Sequence, residues 1–408
     1  MNEISIIQVK ELTKVFNGKI RAVDGINFNV ERGEILGFLG PNGAGKTTTL
    51  SMLATLLRPT SGTATINGHD ILKEPDEVRR SVGFVFQDPT LDTELTGREN
   101  LDFHGRIYGL KRDIRQQRIE EVLELVQLTD RASDLVKTYS GGMKRRLEIG
   151  RGLLHHPEVL FLDEPTLGLD PQTRISIWEH IQRLNQEKMI TIILTTHYTD
   201  EADRLCGRIQ IIDFGKIVAL DTPERLKARL QGDIVSLVFK DPAMIAKVTP
   251  VLEKKEWIRR IDIVAGDNGH ETMGRVMEVM RGMSGEMGMG GMTPGMPAGG
   301  ANGGRMPIHP QAMPMQGSHA SNDQQGRKEG AKRLNLLVDD GGHRIPEIVK
   351  LVDATGAVLD RAELHKPTLD DVFLSVTGRN IRDEQGSLLE MIRRQHIVQQ
   401  ARGQRVGA

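Results

Sequence analysis

The stretch Gly40-Pro41-Asn42-Gly43-Ala44-Gly45-Lys46-Thr47, followed by Thr48, constrains the chain more than any other. It fits the pattern G-x-x-x-x-G-K-[ST], whose glycines permit backbone angles that turn successive N–H groups inward around an anion. The apolar run Ile35–Leu39 before it predicts a buried strand. Leu50, Leu53, Ala54 and Leu57 after it predict a helix, whose N-terminal dipole adds to the pull on negative charge. In that setting Lys46 reaches toward the β- and γ-phosphates and Thr47 offers a hydroxyl to Mg²⁺. Chance matches to the pattern number on the order of 0.02 in a chain of 408 residues. The motif predicts a nucleotide site at a strand-to-helix turn.

Over roughly residues 1 to 220, short β-rich runs alternate with helical patterns, which predicts a mixed α/β unit with a largely parallel sheet. Val82–Phe86, Val159–Leu162 and Thr191–Leu194 read as further buried strands. Between the first two of these lies a helical insertion in which Ile119, Val122, Leu123 and Val126 share one face. The run Val159–Leu162 ends in Asp163-Glu164-Pro165. Ligands of open α/β sheets gather at the carboxyl ends of strands, so both acids are expected to face the phosphate loop. Neighbouring strand residues point opposite ways, which suits Asp163 to the Mg²⁺ shell and Glu164 to polarising an attacking water.

Composition narrows the function further. Lys plus Arg total 54 against 55 for Asp plus Glu, so no basic excess favours nucleic acid as a partner. A single cysteine, Cys206, excludes an intrachain disulfide framework. No apolar run approaches 18 residues, and the first residues lack a basic region followed by an apolar stretch, so the expectation is a cytoplasmic chain without a spanning helix. From Gly282 to Gly330 the chain carries 13 Gly and 8 of its 17 Met. That composition reads as a flexible, disordered insertion, with soft-metal binding by its Met and His residues as the competing reading. On either side the pattern repeats. Ile234–Phe239, Pro242–Lys254 and Ile258–Val264 read as strand, helix and strand. Leu334–Val338, a helix carrying Ile345, Ile348, Val349 and Val352, and a strand at Ala357–Arg361 follow the insertion. Two such units predict a small ferredoxin-like domain.

With these motifs in order, the chain resembles the ATP-binding-cassette (ABC) ATPases. Tyr139-Ser140-Gly141-Gly142-Met143 is similar to that family's signature, usually Leu-Ser-Gly-Gly-Gln. Gln87 matches its Q-loop, Gly168-Leu169-Asp170 its D-loop, and His197 after Thr195-Thr196 its switch histidine. Phe16 sits where an aromatic usually stacks on adenine. The departures are Met143 for glutamine and Phe16 for tyrosine; a phenyl ring keeps its π-face, and hydroxyl and backbone contacts of Ser140 and Gly142 do not depend on residue 143. Thr90–Leu101 and Pro367–Leu374 narrow the resemblance to daunorubicin-resistance-type ABC ATPases.

The resemblance implies a P-loop ABC ATPase domain at 1–230 with a helical subdomain near 98–157. It implies a C-terminal ferredoxin-like accessory domain at 231–378, interrupted by the insertion at 266–331 and followed by a tail at 379–408. It further implies a homodimer in which ATP, held by Lys46 and Thr47 of one copy, meets Ser140, Gly141 and Gly142 of the other. Glu164, His197 and Lys46 would carry hydrolysis, with Thr47, Gln87 and Asp163 around Mg²⁺ and Asp170 in the D-loop. A separate membrane permease would hold the cargo, a hydrophobic drug, antibiotic or lipid-like compound for export, and the ATPase would sit on the inner membrane face. The alternative is a soluble ABC ATPase acting on nucleic acid or ribosomes; the single cysteine, single phosphate loop and balanced charge argue against it.

Other features take structural readings. Asp213-Phe214-Gly215 reads as a hairpin turn, Trp178 and Trp257 as packing residues, Cys206 as a buried thiol, and His155-His156 as a helix C-terminal pair. The tail from Arg379 onward, with six Arg against three acids, reads as a solvated helix.

Overall fold

The computed structural model describes residues 5–264, 333–378 and 381. The Met/Gly-rich insertion and all of the tail except residue 381 lie outside the described residues. In chain order, β1 (Ser5–Phe16), β2 (Ile20–Glu31), β3 (Ile35–Leu39) and α1 (Lys46–Leu53) lead to β4 (Ser61–Ile66), β5 (His69–Asp70) and α2 (Pro75–Ser81). Then come β6 (Val82–Val85), α3 (Gly97–Ile107), α4 (Arg112–Leu125), α5 (Gly141–Leu153) and β7 (Val159–Asp163). The unit continues with α6 (Pro171–Lys188), β8 (Thr191–Thr196), α7 (Thr199–Leu205), β9 (Arg208–Asp213), β10 (Lys216–Asp221) and α8 (Pro223–Ala228).

The central sheet has the order β10-β9-β3-β8-β7-β6, parallel except for the edge hairpin β9–β10. Every residue of β3, β7 and β8 is buried, which is what helices or a second sheet on both faces demand. The strand period divides their side chains between two cores. Leu36, Phe38, Phe161 and Ile193 pack with α1 and the antiparallel sheet β2-β1-β4-β5. Ile35, Leu39, Leu160, Leu162 and Leu194 pack on the other face with Ile149 of α5 and Trp178, Ile181 and Leu184 of α6. Strand β8 lies between β3 and β7, so the loops that follow all three converge at one end of the sheet.

Helices α3, α4 and α5 enclose a small core of their own around Leu101, Ile119, Val122, Leu123, Val126 and Leu147. The expected face of α4 is the buried one. Thr96 and Glu99 form a reciprocal capping box at the start of α3, and Arg115 of α4 bonds Asp102 of α3 at 2.6 Å. The predicted strand at 82–86 stops at Val85; Phe86 is exposed and its carbonyl turns toward α5.

The C-terminal strands are β11 (Asp233–Phe239), β12 (Ile258–Val264), β13 (Arg333–Val338) and β14 (Leu359–His365). Their order is β12-β13-β11-β14 with every neighbouring pair antiparallel, the arrangement of a ferredoxin-like fold. Helices Ile245–Leu252 and Gly341–Asp353 cover one face, where Val235, Leu237, Leu334, Leu336, Val338, Ile348 and Val352 are buried together. Two readings are corrected. The first helix begins as a 3₁₀ turn at Pro242–Met244, set by Asp241 capping Ala243. The last strand runs Leu359–His365 rather than 357–361: Ala357 is already buried in the core before the strand starts, and Pro367 ends the run. The final helix, Leu369–Thr377, leaves this domain and places Leu369, Val372 and Phe373 in the core of the first, beside Ala202, Leu205 and Leu226.

Candidate functional site

The phosphate loop leaves β3 and closes onto α1. Gly43 and Gly45 take φ of 78° and 105°, left-handed values that a side chain would strain, and Gly45 is the N-cap of α1. The loop is propped by its neighbours: Gly40 N–H donates to Thr196 O at 3.3 Å, and Gly215 N–H donates to Ala44 O at 2.9 Å. The Asp213-Phe214-Gly215 turn is thus a hairpin, with φ of 46° at Phe214 and 75° at Gly215, and it buttresses the loop. Asn42 and Thr48 belong to the same loop and first helical turn.

Lys46 is buried. Its Nζ donates to Gly40 O at 2.7 Å and Pro41 O at 3.1 Å and stands 3.4 Å from Glu164 Oε1. On the other side of Glu164, His197 Nδ1 lies 2.8 Å from Oε2. A lysine, a carboxylate and a histidine from three different strand ends therefore meet in one row. Asp163 faces another way: its Oδ1 accepts from Thr47 Oγ1 at 3.0 Å and from Thr195 Oγ1 at 2.5 Å. The two adjacent acids diverge, but not by strand alternation as expected: β7 ends at Asp163, and Glu164 just beyond it takes φ of 45°, a left-handed turn that sets the direction of its carboxylate.

Burial and partners set the charges. Burial pushes the Lys46 ammonium down, opposed by Glu164 beside it. Burial raises the Asp163 carboxyl above its ordinary value despite the two threonine hydroxyls that bond its ionised form. Burial also pushes Glu164 upward, but His197 and Lys46 together outweigh it, and the net position is below the ordinary carboxylate value. Glu164 is therefore ionised at neutral pH, the form in which a carboxylate accepts a proton.

The remaining sequence-predicted residues stand apart from this row. Gln87 is exposed just past the end of β6, outside the Thr47–Asp163 contact. Ser140 and Gly141 are exposed and Gly142 half-buried at the start of α5, where Ser140 Oγ accepts from Met143 N–H at 3.3 Å as N-cap. Asp170 caps α6 by accepting from Thr173 N–H at 3.0 Å. Phe16 is partly exposed at the end of β1 with Lys14 Nζ 5.2 Å above its ring. Trp178 is buried with Nε1 bonded to Glu201, Trp257 packs at the edge of the C-terminal core under Arg344, and Cys206 is buried with its thiol pushed well up. His155 packs behind the end of α5 with Nε2 3.0 Å from Val82 O.

Sequence reasoning missed Thr195, whose hydroxyl joins the two acids, and the buried pair Arg145–Glu148 at 3.0 Å on α5. Their only signal was an i, i+3 charge pair just after Met143, indistinguishable in sequence from a surface pair. Glu201, fully buried and bonded by Thr166 and Trp178, gave no signal at all.

Known proteins carry the same arrangement of sequence. A protein-family profile described as "ABC transporter" matches residues 23–167. The chain is 45% identical over 246 residues to the daunorubicin/doxorubicin resistance ATP-binding protein DrrA of Streptomyces peucetius, covering 60% of this chain and 74% of that protein. It is 46% identical over 230 residues to the linearmycin resistance ATP-binding protein LnrL of Bacillus subtilis, covering 56% and 73%. It is 42% identical over 253 residues to the Nod factor export ATP-binding protein I of Ralstonia nicotianae, covering 62% and 78%. Among solved structures, cbiO1 from Clostridium perfringens, part of the ABC transporter complex cbiONQ, aligns with a TM-score of 0.52 at 26% identity, covering 67% of this chain and 99% of that one.

Proposed function

The chain belongs to the ATP-binding subunits of ABC transporters, and from that premise we propose that it powers export of a hydrophobic drug, antibiotic or lipid-like compound through a separate membrane permease. ATP binding and hydrolysis follow from membership of the family. The cargo class is supported by relatives named for resistance to daunorubicin, doxorubicin and linearmycin and for Nod factor export. Among the described residues no helix is long and apolar enough to cross a membrane. Relatives named as ATP-binding proteins of resistance and export systems support a permease on another chain, with this one against the inner membrane face.

The observation that carries the mechanism is the row Lys46–Glu164–His197 at the carboxyl end of the central sheet. ATP phosphates seat over the N-terminus of α1, where free N–H groups and the helix dipole favour negative charge, and Lys46 neutralises the terminal phosphates. The ionised Glu164 carboxylate accepts the proton of the attacking water, and His197 steadies its outer oxygen and the γ-phosphate. Thr47 Oγ1 and Asp163 Oδ1, hard oxygens converging at 3.0 Å, fit Mg²⁺, with Gln87 as a further oxygen donor. When bound, that ion offsets phosphate charge. Phe16 offers its ring face to adenine.

The start of α5, with Ser140 and Gly141 exposed and Gly142 half-buried, suits the phosphates of a second copy, so two chains arranged head to tail each complete the other's site, with the Asp170 segment near the junction. Glu164→Gln tests the reading. Turnover is expected to fall by roughly 10²–10⁴-fold with ATP binding kept, measured by phosphate release and nucleotide titration. The same variant, held closed by Mg-ATP and extracted from its native membranes in mild detergent, is expected to co-purify with a multi-spanning protein; recovery of soluble partners alone removes the exporter reading.

A further inference from the structure

Arg145, on the helix that begins at Ser140, is buried and uses all five of its N–H groups. Nε donates to Pro165 O at 2.7 Å, and Nη2 donates to Asp163 O at 3.1 Å and Glu164 O at 3.3 Å. Nη1 donates to Phe86 O at 2.7 Å and to Glu148 Oε2 at 3.0 Å. The other oxygen of Glu148 accepts from Thr90 N–H at 2.8 Å. One guanidinium therefore grips three successive carbonyls at the end of β7 and the residue just before Gln87.

The middle carbonyl belongs to a strained residue. Glu164 has φ of 45°, a left-handed backbone unusual for a residue with a side chain, and such a conformation persists only where its surroundings hold it. Its N–H is held by Thr195, with Oγ1 at 3.0 Å and the backbone O at 3.2 Å, and its C=O accepts from Leu167 N–H at 3.2 Å and from Arg145 Nη2 at 3.3 Å. The twist points the carboxylate at Lys46 and His197. An unstrained backbone at residue 164 would carry that carboxylate away from both.

We propose that Arg145 is the positioning residue of the hydrolytic site. It pins the carbonyls of residues 163–165 so that the Glu164 carboxylate stays between Lys46 and His197, while Glu148 neutralises it and carries the hold to Thr90. The inference rests on Glu164 being the base assigned above. Lysine cannot substitute, because three donors on one nitrogen cannot serve carbonyls spread around a planar fork.

The test is the full chain with Arg145→Gln combined with Glu148→Gln, which removes both buried charges together and leaves neither uncompensated. Phosphate release, ATP affinity from a fluorescent-nucleotide titration and thermal melting are measured beside Glu164→Gln. The expected result is a folded protein whose ATP affinity is kept and whose kcat falls on the order of 10²-fold, the scale of a reacting group displaced by about 1 Å. Unchanged kcat in the folded double variant, with Glu164→Gln inactive, overturns the proposal alone. Normal turnover in Glu164→Gln overturns the assignment beneath it. Loss of affinity and turnover together makes Arg145 a general prop of the fold and overturns the positioning role. Should the double variant fail to fold, Arg145→Lys keeps the ion pair with Glu148 and decides the matter by the same split: kcat down at constant affinity supports, kcat unchanged overturns.

Discussion

The central parallel sheet and the C-terminal antiparallel sheet solve the same packing problem with opposite treatments of charge. Beneath the central sheet's carboxyl end, Lys46, Arg145, Glu148, Asp163, Glu164 and Glu201 are all buried. In the C-terminal domain the one buried polar residue among the described residues is Ser236, and ion pairs such as Lys366–Asp233 and Arg361–Glu363 keep at least one member largely in solvent. Burying a charge costs several kcal/mol before its partners recover part of it, so charge collects only where something besides stability requires it. The difference separates a region shaped by chemistry from one shaped by packing. Substitutions in the first should move rates, and substitutions in the second should move stability.

Phe373 is the sharpest way to break that division, because it comes from the C-terminal region yet is fully buried in the first core. Phe373→Ala should cost about 3–5 kcal/mol, the range for deleting a buried phenyl group. Nearby, Asp370 Oδ2 accepts from Thr199 Oγ1 at 3.1 Å, at the start of α7, two residues after His197. Loss of the final helix's anchor is therefore expected to lower melting strongly and to lower turnover with it. Strong destabilisation with unaltered turnover per folded molecule would show that the two regions act separately.

Lys46 tests the other side. Lys46→Met removes a charge-assisted contact to phosphate, worth about 1.5–3 kcal/mol, and ATP should bind roughly 10–150-fold more weakly by nucleotide titration. Melting without nucleotide should fall as well, because the methionine leaves the Gly40 and Pro41 carbonyls without that donor and the buried Glu164 carboxylate without its cation. An unchanged melting temperature would mean that the charges of the site serve binding alone and contribute nothing to the fold.

Legibility in the sequence follows the same division. Lys46, Thr47, Asp163 and Glu164 were readable because the phosphate-loop pattern and the acid-ended apolar strand follow from phosphate chemistry, whereas His197 was readable only through the family resemblance. Strands β3, β7 and β8 were readable because burial on both faces writes a continuous apolar run. Strand β14 was placed too early because its sequence, Leu-Asp-Arg-Ala-Glu-Leu-His, lies at the sheet edge with little burial to impose a period. Arg145 escaped notice because its partners are backbone carbonyls on other segments, and a carbonyl has no letter in the sequence.

The smallest effect belongs to the C-terminal sheet's surface pair. Lys366 Nζ lies 2.7 Å from Asp233 Oδ1, and Asp233 Oδ2 accepts from Gly341 N–H at 3.0 Å. The Lys366 contact leads in holding the Asp233 carboxyl below its ordinary 3.8. A carboxylate depressed in the folded state adds stability that is fully present above its unfolded value and fades as pH falls through the folded one. The pair should therefore contribute at neutral pH and be lost only below about pH 3.8. With Lys366 largely in solvent, its worth is below about 1 kcal/mol. Asp233→Asn should lower stability slightly at pH 7, flatten the acid limb of the unfolding curve and leave ATP turnover untouched. A change in turnover from this variant would mean that the C-terminal sheet reaches the site by a route other than Phe373 and Asp370.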